Sequence, residues 1–530
     1  MIDTPLRFSP STLARSTGGC PRYRALKALP ARSRTNGRRP KRRIWETFGL
    51  GPLDKVLDLH EFDGYDVDAA LERWRGGEGR GAHPALARWT EHAVRRYLEA
   101  AARLHDGLAL EPVSRLWARR PEQPAEGPTG SREEIVYGRR YSNNEVRELR
   151  IVRFREVGGR PRDEAEIAMA AAVLATGGPV YSDRWAPRLH IGRSTRPERV
   201  RIVEIGCADG SGNVLFDGTP EEALAAYEGH ARGRLQEVAA GEELRPGFDC
   251  GKCPLVDTCP AVPSVPGLLG VDDDARPRRT WSVTTARRYN TCALTSYLHE
   301  LNLPRDIARE ENESTTRGRV VHDEIEARHR RSPLRVCGTD EVVTESLAAS
   351  TADLVGREEA RLRLQMLADH SFVCPARHAG EDAEFHPEQH VVVHDPSADV
   401  VVIARIDLLY RVGRRWRYRE TKTSKYVYEG NLLENYKQIA LAILLSAEGV
   451  LPGGQGGCHV ELERLTASGP VLTEFDVADP ELVQAAREVV RSAVVGWHAD
   501  ETPAASPDSK TCGSCGFNRW CPDAVAEARA

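Results

Sequence analysis

The chain has 530 residues, with 74 Lys and Arg against 78 Asp and Glu, for a formal net charge of −4. Its mean hydropathy is −0.47, and no stretch nears the roughly 18 consecutive apolar residues of a membrane-crossing helix, which excludes a transmembrane helix. Twelve cysteines are too few for a disulfide scaffold in a chain this long. The start, MIDTPLRFSP, lacks a basic region followed by an apolar one, so the expectation is a cytoplasmic protein without a secretory signal. Clustered cysteines in such a protein point to metal or redox chemistry.

In chain order, the first signal is FSPSTLARSTGGCPRYRALKALP, residues 8–30, where Cys20 precedes an apolar-periodic helix ending in Leu-Pro. Overlapping it, residues 21–43 hold ten Arg and Lys and no Asp or Glu. That run is an electrostatic footprint for phosphate, with Arg38, Arg39, Lys41, Arg42 and Arg43 as candidate DNA contacts, and a solvated tail as the plainer alternative. His83 and His92 follow in a helical stretch, GAHPALARWTEHAVRRYLEA. GRRYSNNEVRELR, 138–150, and the helix-like DEAEIAMAAAVLATGG, 163–178, carry Glu148, Arg150 and Glu166. Cys250-x2-Cys253-x5-Cys259 comes next, and then a Pro-, Gly- and Asp-rich segment that reads as a linker at 263–279.

The second half opens with WSVTTARRYNTCALTSYLHELNLP, 281–304, which aligns with 8–30 and places Cys292 opposite Cys20. GRVVHDEIEARH, 318–329, is a helix bearing His322. Residues 389–425 read as three β-rich runs with turn signals at DPSAD and VGRR, an antiparallel meander entered through AEFHPEQHVVV, 383–393. Asp407 lies in the second run, and Glu420 and Lys422 end the third. ENYKQIALAILL, 434–445, is a helix with Tyr436 and Gln438 at its start. Cys512-x2-Cys515-x5-Cys521 closes the chain with the spacing of the earlier triplet.

These matches describe two copies of one plan, 1–262 and 280–530. Cys20 precedes Cys250 by 230 residues, and Cys292 precedes Cys512 by 220. Thiolates gather iron or zinc. One distant cysteine with a close triplet suits a [4Fe–4S] cluster stapling the two ends of a domain, and zinc in the same pocket is the alternative. Two clusters are expected, on Cys20, Cys250, Cys253 and Cys259, and on Cys292, Cys512, Cys515 and Cys521. Cys207, Cys337, Cys374 and Cys458 match no pattern and are expected to be small buried apolar residues.

Glu420 and Lys422 are two apart and project from one strand face. Asp407 is 13 residues before Glu420 across a hairpin, close enough to share a hard cation such as Mg²⁺ or Mn²⁺. The lysine would then orient water and steady phosphate charge. Only 8 of the 74 basic residues are lysine, so Lys422 is a poor candidate for filler.

Asp-x12-Glu-x-Lys resembles the core of the PD-(D/E)XK nuclease superfamily, and with the His322 helix, the entering strand, the Gln438 helix and the flanking cysteines it resembles the RecB-type iron–sulfur branch. That branch includes CRISPR-associated RecB-like nucleases and AddB-type helicase–nucleases. The resemblance implies an α/β fold of two tandem restriction-endonuclease-like cores, each a mixed sheet flanked by helices. It implies metal-dependent hydrolysis of DNA, most readily at single-stranded ends, in repair, recombination or phage defence. His322, Asp407 and Glu420 would hold the metal, Lys422 would position water, Gln438 would assist, and Lys425 would contact the DNA backbone. No G-x4-G-K-[ST] occurs, so a separate helicase subunit would open duplex DNA. The alternatives are a non-catalytic DNA-binding or scaffold subunit, and a nuclease trimming CRISPR prespacers.

The first copy looks degenerate. Glu148-Leu149-Arg150 stands where Glu420-Thr421-Lys422 would be, Glu166 replaces Gln438, and Arg132-Glu133-Glu134 offers no aspartate for Asp407. Neither His83 nor His92 has the context of His322. Arginine is a poor substitute for lysine in activating water.

Overall fold

The computed structural model describes residues 5–15, 18–29, 49–121, 132–143, 145–159, 161–337, 356–380, 382–506 and 508–525. The chain divides into two units. Unit 1 is residues 1–245 with 298–305 and 517–524; unit 2 is 246–297 with 306–516 and 525–530. Both are α/β. Among the described residues no helix is long and apolar enough to cross a membrane.

Unit 1 holds two sheets. The first joins β1 (Leu6–Phe8), β4 (Arg132–Val136), β3 (Trp117–Arg119) and β7 (Gly178–Pro179) in that order, with β1 parallel to β4. The second has the order β2 (Glu111–Pro112), β5 (Arg139–Ser142), β6 (Val146–Arg153), β8 (Arg199–Gly206) and β9 (Gly212–Gly218). Its β5–β6 and β8–β9 pairs are antiparallel, while β6–β8 is parallel. Parallel neighbours need a crossover, and helix α1 (Glu164–Thr176) lies in it. Asp163 caps α1 by accepting the Ala165 N–H at 3.0 Å. The alanine-rich helix is buried on nearly every side. Met169 and Ala172 pack with Phe8 and Leu235, whereas Ala171 and Leu174 pack with Leu149 and Ile202.

Unit 2 is built on one six-stranded mixed sheet. Its path is β10 (Arg279–Trp281), β12 (Val400–Val412), β13 (Arg415–Thr423), β14 (Cys458–Thr466) and β15 (Gly469–Phe475), and β11 (Glu384–Asp395) also pairs with β12. β11, β12 and β13 form the expected antiparallel meander. β14 then runs parallel to β13, so the chain crosses over through helix α4 (Lys437–Ala447). Ile439 through Ser446 are all buried, because α4 lies between the sheet and helix α5 (Pro480–Ala499). Leu409, Tyr418, Val460, Leu462, Val490 and Trp497 belong to the same core. Helices α2 (Glu313–His329) and α3 (Arg357–Val373) make a second cluster, in which Val321, Ile325, Met366 and Leu367 meet Leu465. A buried ion pair also joins them, Arg317 to Glu359 at 2.9 Å.

The stretch 263–279, expected as a linker, is instead packed into unit 2. Leu268 and Leu269 are buried in its main core. The Asp395 carboxylate accepts the N–H groups of Gly267 and Leu269 at 2.9 and 2.8 Å. The Pro and Gly content marks turns, but the apolar Leu-Leu pair between them has a place in the core.

Candidate active site

The site lies where the β12–β13 ladder ends. The ladder ends with the pair Leu408 and Arg419, so one step further along the same register Asp407 faces Glu420 across the strands. The backbone N–H of Thr421 donates to the Asp407 carboxylate at 2.8 Å. Glu420 and Lys422 share a strand face, and the Lys422 ammonium donates to the Glu420 carboxylate. Lys422 Nζ also stands 4.0 Å from Asp407. The Tyr418 hydroxyl donates to Glu420 at 2.9 Å from two residues back on that face.

Helix α2 brings the fourth group. Asn312 caps it by accepting the Thr315 N–H at 3.0 Å. Val321 and Ile325 are buried against α3 and β14, and this packing turns His322 toward the sheet. Its Nδ1 lies 3.6 Å from Asp407 Oδ2. His322, Asp407, Glu420 and Lys422, 100 residues apart from first to last, are thus gathered at one place.

The electrostatics suit a cation. Burial pushes the Glu420 carboxyl above its usual range, and the neighbouring Asp407 charge raises it further. Burial alone would lower the Lys422 ammonium, but the two carboxylates outweigh that and hold it above its ordinary value. Lys422 is therefore charged at neutral pH. Burial also raises Tyr418, with Glu420 adding to it, so its hydroxyl stays a donor.

Sequence reasoning missed Glu388. It sits in β11 opposite Asp407, where the ladder skips a residue between Pro387–Leu408 and Gln389–Ile406. Its φ is +57°, a left-handed conformation that is costly for a residue with a side chain. Burial pushes its carboxyl up to about 7, with Asp407 and Glu326 raising it and Arg405 opposing them. The signal was Pro387, since proline inside a strand marks a break in the ladder.

Other expected residues fall elsewhere. Gln438 is half-buried in the first turn of α4, and Tyr436 precedes it at the edge of the main core. Lys425 lies 3.7 Å from Glu313 and 4.0 Å from Glu359, so acids already face it. Arg38, Arg39, Lys41, Arg42 and Arg43 lie outside the described residues. Among the cysteines, Cys20, Cys250, Cys292 and Cys521 are buried, and Cys253, Cys259, Cys512 and Cys515 are partly so. Cys250 Sγ accepts the Gly247 N–H at 3.4 Å, and Cys292 Sγ accepts that of Ser506 at 3.4 Å. The Thr295 hydroxyl is 3.7 Å from Cys515 Sγ.

Cys337 and Cys374 are buried in an apolar cluster with Ala376, as expected. Both also sit with His329 and His370 in a single group of donor atoms, which the sequence did not show.

In unit 1 the carboxylates of Glu133, Glu134, Glu148 and Glu166 are bound by arginines. Glu148 on β6 is fully buried between Arg150, at 2.5 Å, and Arg201. Glu133 meets Arg7 at 2.7 Å and Arg120 at 2.8 Å; Glu134 meets Arg119 at 2.6 Å and Arg132 at 3.1 Å. Glu166 pairs with Arg162 at 2.7 Å. The ring Nδ1 of His83 accepts the Ala85 N–H at the start of a helix, and His92 Nε2 bonds the Ala208 carbonyl at 2.8 Å.

One solved structure, titled "Crystal structure of SSO0001", is 15% identical, spans 47% of this chain and 90% of its own, and has a TM-score of 0.21. No curated protein matches the sequence. The family model for the PD-(D/E)XK nuclease superfamily matches residues 280–522. Within those residues lie the mixed sheet, its flanking helices and the four convergent side chains, and this part of the chain is a PD-(D/E)XK nuclease superfamily domain.

Proposed function

We propose that the 280–522 domain is a metal-dependent deoxyribonuclease acting on single-stranded ends. The observation that carries this reading is the convergence of His322, Asp407, Glu420 and Lys422 at the open end of the β12–β13 ladder. Two carboxylates and an imidazole form a hard donor set, with the single ammonium of Lys422 beside the two carboxylates. His322, Asp407 and Glu420 would hold Mg²⁺ or Mn²⁺. Such an ion, when bound, supplies Lewis-acid polarisation of the phosphate and a more acidic water. Lys422, held as an ammonium, cannot take a proton; it donates hydrogen bonds that orient water and offset charge growing on the phosphate. The bond from the Thr421 N–H fixes the Asp407 carboxylate. Gln438 is assigned an assisting role at the start of α4.

Single-stranded substrate is favoured by the loop that follows Lys422. Tyr426 is 81% exposed there and Tyr428 is 41% exposed, and exposed aromatic rings beside a nuclease site give bases a stacking platform. A separate helicase would supply such ends from duplex DNA.

Unit 1 is proposed to be a nuclease-like core that has lost catalysis and serves to bind DNA or a partner. Its β5–β6 hairpin, crossover helix and parallel β8 repeat the order of β12–β13, α4 and β14, which supports a shared origin. Among the described residues, its buried Glu133, Glu134 and Glu148 are each paired with two guanidinium groups, which leaves them little charge for a divalent cation to balance. The two cysteine sets are proposed to carry [4Fe–4S] clusters. N–H groups directed at Cys250 and Cys292 suit thiolate ligands, whose potential depends on such bonds.

The test uses anaerobically purified protein and end-labelled single-stranded DNA with Mn²⁺ or Mg²⁺. Wild type should shorten the DNA and Lys422→Ala should not. Intact DNA with wild type, bound equally by both proteins, would overturn the nuclease reading in favour of a scaffold. The clusters are tested separately by a brown colour and about four irons per occupied site; stoichiometric zinc without iron would refute them.

A further inference from the structure

His329, Cys337, His370 and Cys374 bring one donor atom each to within 4.8 Å of one another, and all four residues are buried. His329 ends α2, His370 lies in the last turn of α3, and Cys374 follows that turn. Each residue is no more than 4% exposed. Two imidazoles and two thiols in an apolar interior need partners, and here the partners they find are one another.

We infer that these four side chains form a structural zinc site, distinct from the acidic pocket and from both cysteine triplets. The spacing carries the assignment. A tetrahedral zinc with Zn–N about 2.05 Å and Zn–S about 2.3 Å sets its nitrogens about 3.3 Å apart and a nitrogen and sulfur about 3.6 Å apart. The Nε2 atoms of His329 and His370 are 3.4 Å apart, and Cys374 Sγ is 3.6 Å from His329 Nε2. Two nitrogens with two sulfurs in a tetrahedron suit zinc or an iron–sulfur centre, and the 3.4 and 3.6 Å spacings match a single zinc ion. Four protein donors in a buried pocket leave no position for water, which is the arrangement of a structural rather than a catalytic ion.

The surroundings agree. His370 uses Nε2 toward the group and directs Nδ1 to the buried carboxylate of Glu463 at 2.6 Å. A carboxylate behind a zinc-bound imidazole fixes its tautomer and orientation. Glu463 in turn accepts the Thr421 hydroxyl at 3.2 Å. Binding would release the two thiol protons to solvent, leaving thiolates balanced by the ion.

The location gives the ion a task. His329 is seven residues after His322, two turns further along the same side of α2. Zinc would tie the C-terminal end of α2 to α3 and to the β13–β14 pair, and so hold the helix that presents His322. Its role is positioning, without contact with substrate.

The experiment compares zinc content of wild type and the Cys337→Ser/Cys374→Ser double variant, both purified anaerobically with their iron reconstituted. Wild type should hold about one more zinc per chain than the variant, retained through dialysis. X-ray absorption at the zinc edge of wild type should show two sulfurs near 2.3 Å and two nitrogens near 2.0 Å. Zinc bound by cluster cysteines would give an all-sulfur shell. Equal zinc in both proteins, an all-sulfur shell, no zinc in wild type, or a Cys337–Cys374 disulfide would each overturn the site. If the variant is insoluble, the wild-type spectrum decides. None of these readouts requires DNA cleavage, so the site can stand or fall apart from the nuclease reading.

Discussion

The backbone N–H of Thr421 donates to Asp407 at 2.8 Å. The hydroxyl of the same residue turns to the other face of β13 and donates to Glu463 at 3.2 Å. Alternation along β13 directs the Thr421 side chain away from the face of Glu420 and Lys422, toward the Glu463 carboxylate that bonds His370. Thr421→Val removes only the second bond. It should cost about 1 kcal/mol of stability and leave cleavage within a few-fold of wild type, measured by thermal unfolding and a gel assay.

The charged groups of the pocket have separable effects on activity and stability. Asp407→Asn, Glu420→Gln and Lys422→Ala should each lower kcat by a factor of about 10² or more. Glu420→Gln should leave Tm unchanged or raise it in metal-free protein, because burial and Asp407 already disfavour that carboxylate. EDTA should stop cleavage by wild type, and added Mn²⁺ should restore it.

Glu388 predicts a pH effect. Its carboxyl titrates near 7 when folded, against an ordinary 4.5. Between those values the folded chain binds the extra proton, so stability falls as pH rises through that window, by about 3 kcal/mol at most. The loss is complete above the folded value and absent below 4.5. Glu388→Gln should flatten the metal-free denaturation profile across this range; an unchanged slope would remove Glu388 from the account.

Unit 1 should respond to mutation through stability rather than chemistry. Glu148→Ala takes the carboxylate from the buried guanidinium of Arg150 and leaves Arg201 with Asp217 at 3.4 Å, which should destabilise by about 3–5 kcal/mol. The protein that remains folded should keep its specific activity. Loss of activity without loss of folded protein would show that unit 1 is catalytic.

Tyr426 offers a test of substrate class. Tyr426→Ala should weaken binding of single-stranded DNA by roughly tenfold, in line with about 1–3 kcal/mol per stacked base, with kcat little changed and Tm unaltered. Binding measured by anisotropy at fixed salt separates the two effects.

Much of unit 2 was legible in the sequence because its signals are local. Period-two alternation and turn residues gave the β11–β13 meander, and a two-residue spacing put Glu420 and Lys422 on one face. The apolar run at 434–445 gave a helix, which the structure places at Lys437–Ala447 as the buried crossover. Three things were not legible. The apolar pair Leu268–Leu269 draws the supposed linker into the core, which no composition rule reveals. Glu388 acquires its meaning only opposite Asp407, through a ladder irregularity. The four donors at His329, Cys337, His370 and Cys374 have no compact motif, since two come from helix ends and Glu463 approaches from a strand. The sequence by itself determined which strands alternate, which residues share a face and which cysteines repeat, because these follow from backbone periodicity and spacing. Only the tertiary structure decided which buried carboxylates are paired with arginines and which gather around a single lysine and a histidine, because that depends on side chains from distant segments sharing one low-dielectric space.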